Sequence, residues 1–271
     1  MTTTKATPSA TVSTPTTPPP KPAILVLGGA FNPIHTQHIA LLTQTKHALL
    51  LTHPHHWSEI LGAYLALAPD GYVKRKCQSK SEKAMHFSHR LALAKACIPS
   101  CQSSSIEESG HKWISSPPHF NLMDRPWGSA GELGRKVREA LLRDKVDADI
   151  IIVVGADRAM KNGGRSFKWR NEFKPGVYMA VVGREDIMPT ILAAWDADVK
   201  SGLVLTPNAT VLLEEAVEPV SSTLVRGLLR QVHAESDTDA KKRSMLEIVG
   251  EGYLTEGQAA YLLENEKDLY M

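Results

Sequence analysis

The chain has little of what marks membrane proteins, secreted disulfide frameworks or structural metal sites. Among its 271 residues, no run approaches the ~18 uninterrupted apolar residues that cross a membrane. It has three cysteines, Cys77, Cys97 and Cys101, and an odd number argues for a reducing compartment rather than for disulfides. Cys97 and Cys101 lack a second ligand pair at zinc spacing. We therefore expect a protein of the cytoplasm and/or the nucleus, with no membrane partner.

Three neighbouring histidines do not complete a metal site either. His53, His55 and His56 adjoin Pro54 and Trp57, and no carboxylate or cysteine is spaced to complete a ligand set. We expect no metal bound by protein side chains.

The chain also lacks a strong charge of one sign. It has 31 Lys and Arg against 29 Asp and Glu, a net charge of +2. Lys5 and Lys21, in a stretch without acids, account for that excess, so the rest of the chain is neutral. Because nucleic-acid binding usually needs a broad basic surface, we expect no nucleic-acid partner. An anionic small molecule would have to meet a local basic cluster, and the densest one is 72–76 (Tyr-Val-Lys-Arg-Lys).

The first 21 residues differ in composition from the rest. Positions 1–20 are almost entirely Thr, Pro, Ser and Ala and end in three prolines. Such a segment cannot bury enough apolar surface to offset its ordering entropy. It also lacks the arginines and the apolar face of a mitochondrial presequence. We expect a disordered tail over 1–21 and a single domain over 22–271, a length that one α/β domain can reach.

Short apolar runs alternate with amphipathic patterns along this domain. Strands are predicted at 23–27, 63–68, 149–155, 177–182 and 210–213. Helices are predicted at 36–50, 81–96 and 129–143, with two or three more after residue 221. The alternation predicts an α/β fold, a Rossmann-like, doubly wound and mostly parallel sheet with helices on both faces. Ligands of such sheets bind beyond the carboxyl ends of the strands.

The first predicted strand ends in a segment suited to phosphate. Gly28 and Gly29 allow a sharp turn and a close approach of the backbone to a ligand. The chain then enters a helix, whose first N–H groups are unpaired and attract anions. His35 and His38 are three residues apart and share one face of that helix start. The spacing Gly-x-Gly-x-x-Gly is absent, so this is no dinucleotide fingerprint.

A second helix start carries hydroxyl groups and an arginine. Ser221, Ser222 and Thr223 are good N-capping residues. Arg226 lies one turn into the predicted helix, and helical side chains lean toward the N-terminus. Its guanidinium can therefore reach a phosphate held at the helix start. The plain alternative is an ordinary capped helix with an exposed arginine.

The residues of these two segments resemble a known family. The run 31–33 (Phe-Asn-Pro), followed by His35 and His38, looks like the signature of nucleotidyltransferases with the His-x-Gly-His motif, although Gln37 stands where glycine is commonest. The run 220–226 resembles the Ile-Ser-Ser-Thr-x-x-Arg block of the same superfamily. The chain is most similar to eukaryotic-type nicotinamide or nicotinic acid mononucleotide adenylyltransferases. Class I tRNA synthetases share the first motif, but their lysine-serine loop is missing here.

The resemblance implies roles for individual residues. His35, His38 and Arg226 would be catalytic. ATP would contact Gly28, Gly29, Ala30, Phe31, Lys74, Gly155, Asp157, Ser221, Ser222 and Thr223. The mononucleotide would contact Asn32, Trp169 and Phe120. A second aromatic beside the pyridine is expected among Trp113, His119, Phe120 and Trp127. His89 and Arg90 match a family pair expected to act through packing or positioning.

The implied reaction transfers the adenylyl group of ATP to the phosphate of the mononucleotide and releases pyrophosphate. Magnesium would bridge phosphate oxygens. Other members of the superfamily, which act on phosphopantetheine or use CTP, are an alternative. A non-catalytic nucleotide-binding regulator is another. The sequence leaves open the choice between amide and acid on the pyridine, and whether the chain forms a homo-oligomer.

Overall fold

A computed structural model describes residues 19–100, 125–161, 166–183, 187–213 and 222–271. Its centre is a five-stranded parallel sheet with the strand order β2-β1-β3-β6-β7. The strands of that sheet are β1 (Lys21–Gly29), β2 (Trp57–Leu67), β3 (Asp149–Gly155), β6 (Val177–Val182) and β7 (Thr210–Leu213). A small antiparallel pair, β4 (Met160–Lys161) and β5 (Ser166–Phe167), lies outside this sheet.

Helices connect the strands and close the chain. They are α1 (Thr36–Thr52), α2 (Asp70–Gln78), α3 (Phe87–Ser100), α4 (Ala130–Arg143), α5 (Ala156–Ala159), α6 (Met188–Lys200), α7 (Ser222–Ala234), α8 (Thr238–Gly250) and α9 (Glu256–Glu264). No helix among the described residues is both long enough and apolar enough to cross a membrane.

The sheet buries both of its faces, as its near-continuous apolar strands require. Ala23, Leu25 and Leu27 of β1 pack in a cluster with buried side chains of α1, α3 and α7 to α9. Ile24 and Val26, which point to the opposite face, pack against α4. On that second face, β3 and β6 also pack against α6. Helices therefore cover both faces, and the predicted Rossmann-like, doubly wound α/β fold is confirmed; every strand pair in the sheet is parallel.

Four of the predicted strands and most of the predicted helices lie close to where the sequence placed them, but β2 begins at Trp57, six residues before the start predicted for it. The helix predicted at 81–96 is wrong at its start, because α3 begins at Phe87 and a separate helix, α2, precedes it. Residues 1–18 of the predicted tail lie outside the described residues, and β1 begins at Lys21, one residue before the predicted domain start.

Helix α4 lies unusually close to the sheet because two glycines face the contact. A Cβ atom on Gly134 would stand 2.6 Å from Cγ2 of Ile150 in β3, and one on Gly28 would stand 3.0 Å from Cβ of Ala130. Real Cβ atoms are not found at the first distance and seldom at the second. Glycine at both positions thus sets how near α4 approaches the ends of β1 and β3.

The strand order reverses direction between β1 and β3. The chain passes from β1 to β2 on one side and reaches β3 on the other. In open parallel sheets the crevice beyond such a switch point is the usual ligand site. The carboxyl ends of β1 and β3 therefore mark the place to examine.

Candidate functional site

A cavity of about 260 Å³, the first cavity, opens at this switch point. It lies between the ends of β1, β3 and β6 and the starts of α1 and α7. Its lining includes Gly28, Gly29, Ala30, Phe31, Asn32, His35, His38, Lys76, Lys80, Glu82, Gly155, Asp157, Arg158, Ser222, Thr223 and Arg226. The structure thus brings together both helix starts that the sequence singled out, although they are far apart along the chain.

The loop from β1 to α1 is fixed by buried side chains behind it. The guanidinium of Arg90, which is fully buried, donates to the carbonyl oxygens of Ala30 (2.9 Å) and Ala68 (2.8 Å) and to the carboxylate of Asp70 (2.8 Å). The amide of Gln258 donates to the carbonyl of Ile34 (3.1 Å). The positioning role expected of Arg90 agrees with these contacts.

His35 and His38 stand together where this loop enters α1. His35 is the N-capping residue, and its backbone N–H donates to Nδ1 of His38 (3.2 Å). The two rings lie 3.8 Å apart between centroids. Because Nδ1 of His38 accepts a hydrogen bond, the neutral ring carries its proton on Nε2. His38 thus has one N–H left to donate, and His38 lines the first cavity.

Burial favours the neutral form of both histidines. Burial lowers the pKa of His38 to about 4, with smaller contributions from the charges of Arg158 and Lys76. Burial, together with the nearby His38 and Arg226, lowers the pKa of His35 to about 2. Nδ1 of His35 is buried and has no hydrogen-bond partner among the described residues. The pair therefore offers hydrogen-bond donors to an anion rather than positive charge.

The start of α7 is tied to the same loop by side chains. The hydroxyl of Ser222 donates to the carbonyl of Pro33 (3.2 Å). Arg226 donates through Nη1 to the carbonyl of Asn32 (2.6 Å) and through Nη2 to the hydroxyl of Thr223 (2.9 Å). Nη2 also lies 2.6 Å from the carboxylate of Glu82. Arg226 thus lines the cavity, as predicted, but with its charge already paired.

The lysine predicted at ATP, Lys74, does not border the first cavity, because the basic cluster lies on a helix that the sequence analysis did not predict. Lys74 is exposed on α2 and is not among the described residues that line the cavity. Lys76, near the end of α2, and Lys80, in the turn that follows the helix, do line it. Burial and the charges of Arg158, Lys80 and Arg226 lower the pKa of Lys76. Two positions along a helix turn a side chain away by about 200°, so Lys74 faces solvent.

The cavity carries an excess of positive charge. Its described lining has four cationic side chains, Lys76, Lys80, Arg158 and Arg226, and two carboxylates, Glu82 and Asp157. Arg158 follows β3 and also donates to the carbonyl of Gly28. Gly155 and Asp157, which were predicted at ATP, also line the cavity, and a Cβ on Gly155 would stand 2.9 Å from Oδ1 of Asp157. The cavity suits an anion with several phosphate groups.

A second cavity of about 350 Å³ adjoins the first and shares Gly28, Gly29 and Arg158 with it. Its other walls are Ala66, Ala68, Tyr72, Trp127, Gly128, Ser129, Ala130, Gly131, Ile152, Val153, Val154 and Lys168. Trp127 precedes α4 and its backbone N–H donates to the carbonyl of Leu67 (2.8 Å). Of the four candidate aromatics, Trp113, His119 and Phe120 lie outside the described residues, and Trp127 lines the second cavity.

Two residues predicted at the mononucleotide have structural partners instead. Trp169 is fully buried, stacks on Phe167 at 4.3 Å and donates to Asp198 (2.8 Å); it occurs in the described lining of neither cavity. Asn32 borders the first cavity, but its amide donates to the carbonyl of Lys83 (3.0 Å) and its oxygen accepts from the N–H of Met85 (2.7 Å). The structure does not bring Trp169 to either cavity, because its ring is enclosed by the core. The side chain of Asn32 holds the segment before α3.

Several residues of the cavity escaped the sequence analysis. Lys76 lies in the basic cluster 72–76, but the family pattern pointed to Lys74 instead. Lys80, Arg158 and Glu82 line the cavity without belonging to a recognised motif, and no sequence signal marked them. Ser221, predicted at ATP, lies outside the described residues.

Comparisons with known proteins give a likeness of fold. Neither a protein-family model nor a curated protein matches the chain. Among similar solved structures are two of the nicotinic acid mononucleotide adenylyltransferase of Plasmodium falciparum. The one complexed with APC has 12% identity and a TM-score of 0.49, and covers 91% of this chain and 96% of that one. The one complexed with NaAD has 13% identity and a TM-score of 0.48, and covers 92% and 98%. Since these identities and scores are low, the reaction has to be inferred from the side chains of the cavities.

Proposed function

We propose that the chain is a nucleotidyltransferase that moves the adenylyl group of ATP onto the phosphate of nicotinamide or nicotinic acid mononucleotide. The products would be the dinucleotide and pyrophosphate. The observation that carries the proposal is the convergence of two helix starts and four cationic side chains on one cavity at the switch point of the sheet. Helix starts and cations are what a triphosphate requires.

The reaction needs no protein nucleophile. An oxygen of the mononucleotide phosphate, already an anion at neutral pH, would attack the α-phosphorus of ATP in line. The new P–O bond forms as the bond to the β-phosphate oxygen breaks, and the electron pair leaves with pyrophosphate. Catalysis is then positioning and stabilisation of charge by preorganised donors.

Each of these residues of the first cavity would have its own role in the reaction. His38 would donate its Nε2–H to oxygens of the transferring phosphate, in a fixed orientation because its Nδ1 caps α1. Ser222, Thr223 and Arg226 would hold the pyrophosphate at the start of α7. Lys76 and Lys80 would offset the remaining negative charge.

Magnesium would enter with the substrate, bound to the phosphates of ATP. Among the described residues no group of three or more His, Cys, Asp and Glu side chains could hold a metal ion. Mg²⁺ commonly keeps several waters and is bound through substrate phosphates and one or two carboxylates. The ion would lower the charge on the leaving pyrophosphate.

The mononucleotide would occupy the second cavity. This cavity adjoins the first across Gly28 and Gly29, where glycine lets two phosphate groups approach the backbone. Arg158 and Lys168 give it positive charge, and its described lining has no carboxylate. Trp127, only 3% exposed and with the guanidinium of Arg125 4.3 Å from its ring centroid, borders this cavity and would present its remaining apolar surface to the pyridine. In this proposal Trp127 takes the place expected for Trp169.

A panel assay tests the proposal. ATP or CTP, each with magnesium, is offered with nicotinamide mononucleotide, nicotinic acid mononucleotide, phosphopantetheine or phosphocholine, and pyrophosphate release is measured. We expect release with ATP and a pyridine mononucleotide. Release with another pair would identify a different transferase of the superfamily. Tight ATP binding without release from any pair would favour the non-catalytic regulator.

A further inference from the structure

One carboxylate lies against the proposed phosphate-binding arginine. Glu82, between α2 and α3, places its Oε2 2.6 Å from Nη2 of Arg226, and the two side chains are only 8% and 11% exposed. Both line the first cavity. An anion therefore already stands where a phosphate is proposed to bind.

The guanidinium of Arg226 is not fully used by this pairing. Nη1 is bound to the carbonyl of Asn32 and Nη2 to Thr223 and Glu82. Nε is buried and has no hydrogen-bond partner among the described residues. Nε and Nη2 form one edge of the planar fork, which oxyanions bind with two parallel hydrogen bonds. Nη2 is thus engaged by Thr223 and Glu82, whereas Nε on the same edge has no partner among the described residues.

A phosphate would satisfy the edge better than Glu82 does. It has more oxygens than a carboxylate, and one of them can accept from Nε while another accepts from Nη2. The phosphate and Glu82 cannot both be close to Nη2 without repulsion between their charges in a poorly solvated place. Binding of the nucleotide therefore requires Glu82 to release Arg226.

We propose that Glu82 is an internal competitor of the nucleotide, a carboxylate that holds Arg226 in the free protein and is displaced by a phosphate group. This proposal rests on the proposed function, because it takes the competing anion to be the phosphate chain of ATP. It assigns to Glu82 the weakening of nucleotide and pyrophosphate affinity. Release of pyrophosphate would then be easier, because the carboxylate of Glu82 replaces it at Arg226.

The test is the affinity of the full chain for ATP and for inorganic pyrophosphate, each with magnesium, measured by calorimetry. Glu82→Gln keeps the size of the side chain and removes its charge. We expect both ligands to bind roughly ten- to a hundredfold more tightly, the range for losing one competing hydrogen bond between charged groups. Glu139→Gln is the matched control, because Glu139 pairs with Arg135 and Lys136 on the exposed face of α4. Unchanged or weaker binding by Glu82→Gln would overturn the proposal.

A second variant keeps the test decisive if Glu82→Gln does not fold. Glu82→Asp retains the charge but shortens the reach toward Nη2, and we expect it to bind both ligands at least severalfold more tightly. Equal or weaker affinity in a folded Glu82→Asp would overturn the proposal. The binding readout is independent of turnover. If the variants bind more tightly but no pyrophosphate is released in the panel assay, only the proposed function is wrong. If pyrophosphate is released but the affinities of the variants are unaltered, only the role of Glu82 is wrong.

Discussion

The helix starts of α1 and α7 border the same cavity but are held in place in different ways. The loop before α1 is fixed from behind by Arg90 and Gln258, which are fully buried and bind its carbonyl groups. The start of α7 is fixed by Ser222 and Arg226, the same side chains that are proposed to bind phosphate. Around α1, Arg90 and Gln258 hold the loop without lining the cavity, although Ser222 and Arg226 also bind its carbonyl groups. At α7 scaffold and ligand contacts coincide, so a single change there should affect both stability and binding.

The largest effect should come from the scaffold of α1. Arg90→Met removes a buried cation that binds two carbonyls and Asp70, and we expect it to lower the free energy of unfolding by about 3–5 kcal/mol. Denaturant unfolding followed by circular dichroism measures this. Arg135→Met, which breaks an exposed pair with Glu139, is the control and should cost about 0.5 kcal/mol or less. Equal losses in the two variants would show that Arg90 anchors nothing.

The ligand contact of α1 should affect activity with little loss of stability. His38→Ala removes the donor proposed to face the transferring phosphate, and we expect kcat to fall roughly 10²–10³-fold. Stability should fall by only about 1 kcal/mol, the value of one capping hydrogen bond. His47→Ala, at an exposed position of the same helix, should change neither. Full activity with a collapsed melting temperature would mean that His38 serves packing.

At α7 the two effects should appear together. Arg226→Ala should lower kcat/KM for ATP roughly 10–100-fold and also lower the melting temperature, because Glu82 is left buried without its partner. The KM for the mononucleotide should change little. Arg226→Lys should recover only part of the activity, since lysine lacks the planar fork.

Arg230, exposed one turn further along α7, provides the control, and Arg230→Ala should leave ATP kinetics and melting unchanged. If Arg226→Ala leaves ATP kinetics unaltered, the start of α7 is only a capped helix. The contrast between the two helix starts would then disappear.

A smaller effect should separate two lysines of one helix. Lys76→Ala should raise the KM for ATP at most about fivefold, because a half-screened charge is worth up to about 1 kcal/mol. Lys74→Ala, two positions away and exposed, should not change it. Steady-state kinetics at low ionic strength gives the best contrast, since salt screens the effect. A larger change from Lys74→Ala would restore the original prediction for that residue.

The last prediction is that His38 shows no titration near neutral pH. Burial lowers the pKa of His38 to about 4, so its imidazole should stay neutral from pH 8 down to roughly pH 5. Imidazole resonances assigned by comparison with His38→Ala would show this by NMR. A midpoint near the ordinary histidine value would mean that His38 is solvated and does not hold the proposed orientation.

The sequence predicted most of the fold and only part of the candidate site. Strands β1, β3 and β6 are dense apolar runs, and His35 and His38 are placed by helical spacing alone, so local patterns were sufficient for them. The sequence could not decide whether Lys74 or Lys76 faces the cavity. That choice requires the phase of α2, a helix that was not predicted. A family pattern names a residue type at a position, but it does not report which way the side chain points.

Burial and distant pairing were beyond the sequence. Trp169 follows the family pattern, yet its ring is stacked on Phe167 and enclosed. The partnership of Glu82 with Arg226 joins loops that only the folded sheet brings together. Both the burial of Trp169 and the pairing of Glu82 with Arg226 depend on three-dimensional packing. No periodic pattern in the sequence indicates either of them.

The glycine contacts beneath α4 have a consequence for the size of molecule that the second cavity accepts. Cγ2 of Ile150, stiff because the side chain is β-branched, leaves no space for a methyl group on Gly134, and Ala130 leaves almost none on Gly28. The start of α4, which borders the second cavity beside Trp127, is therefore packed on β1 and β3 with little room to shift. Tyr72 and Lys168 border the same cavity from a short helix and a single 3₁₀ turn. If the second cavity holds the mononucleotide as proposed, substitutions at those two positions should change which rings it accepts more readily than substitutions in α4.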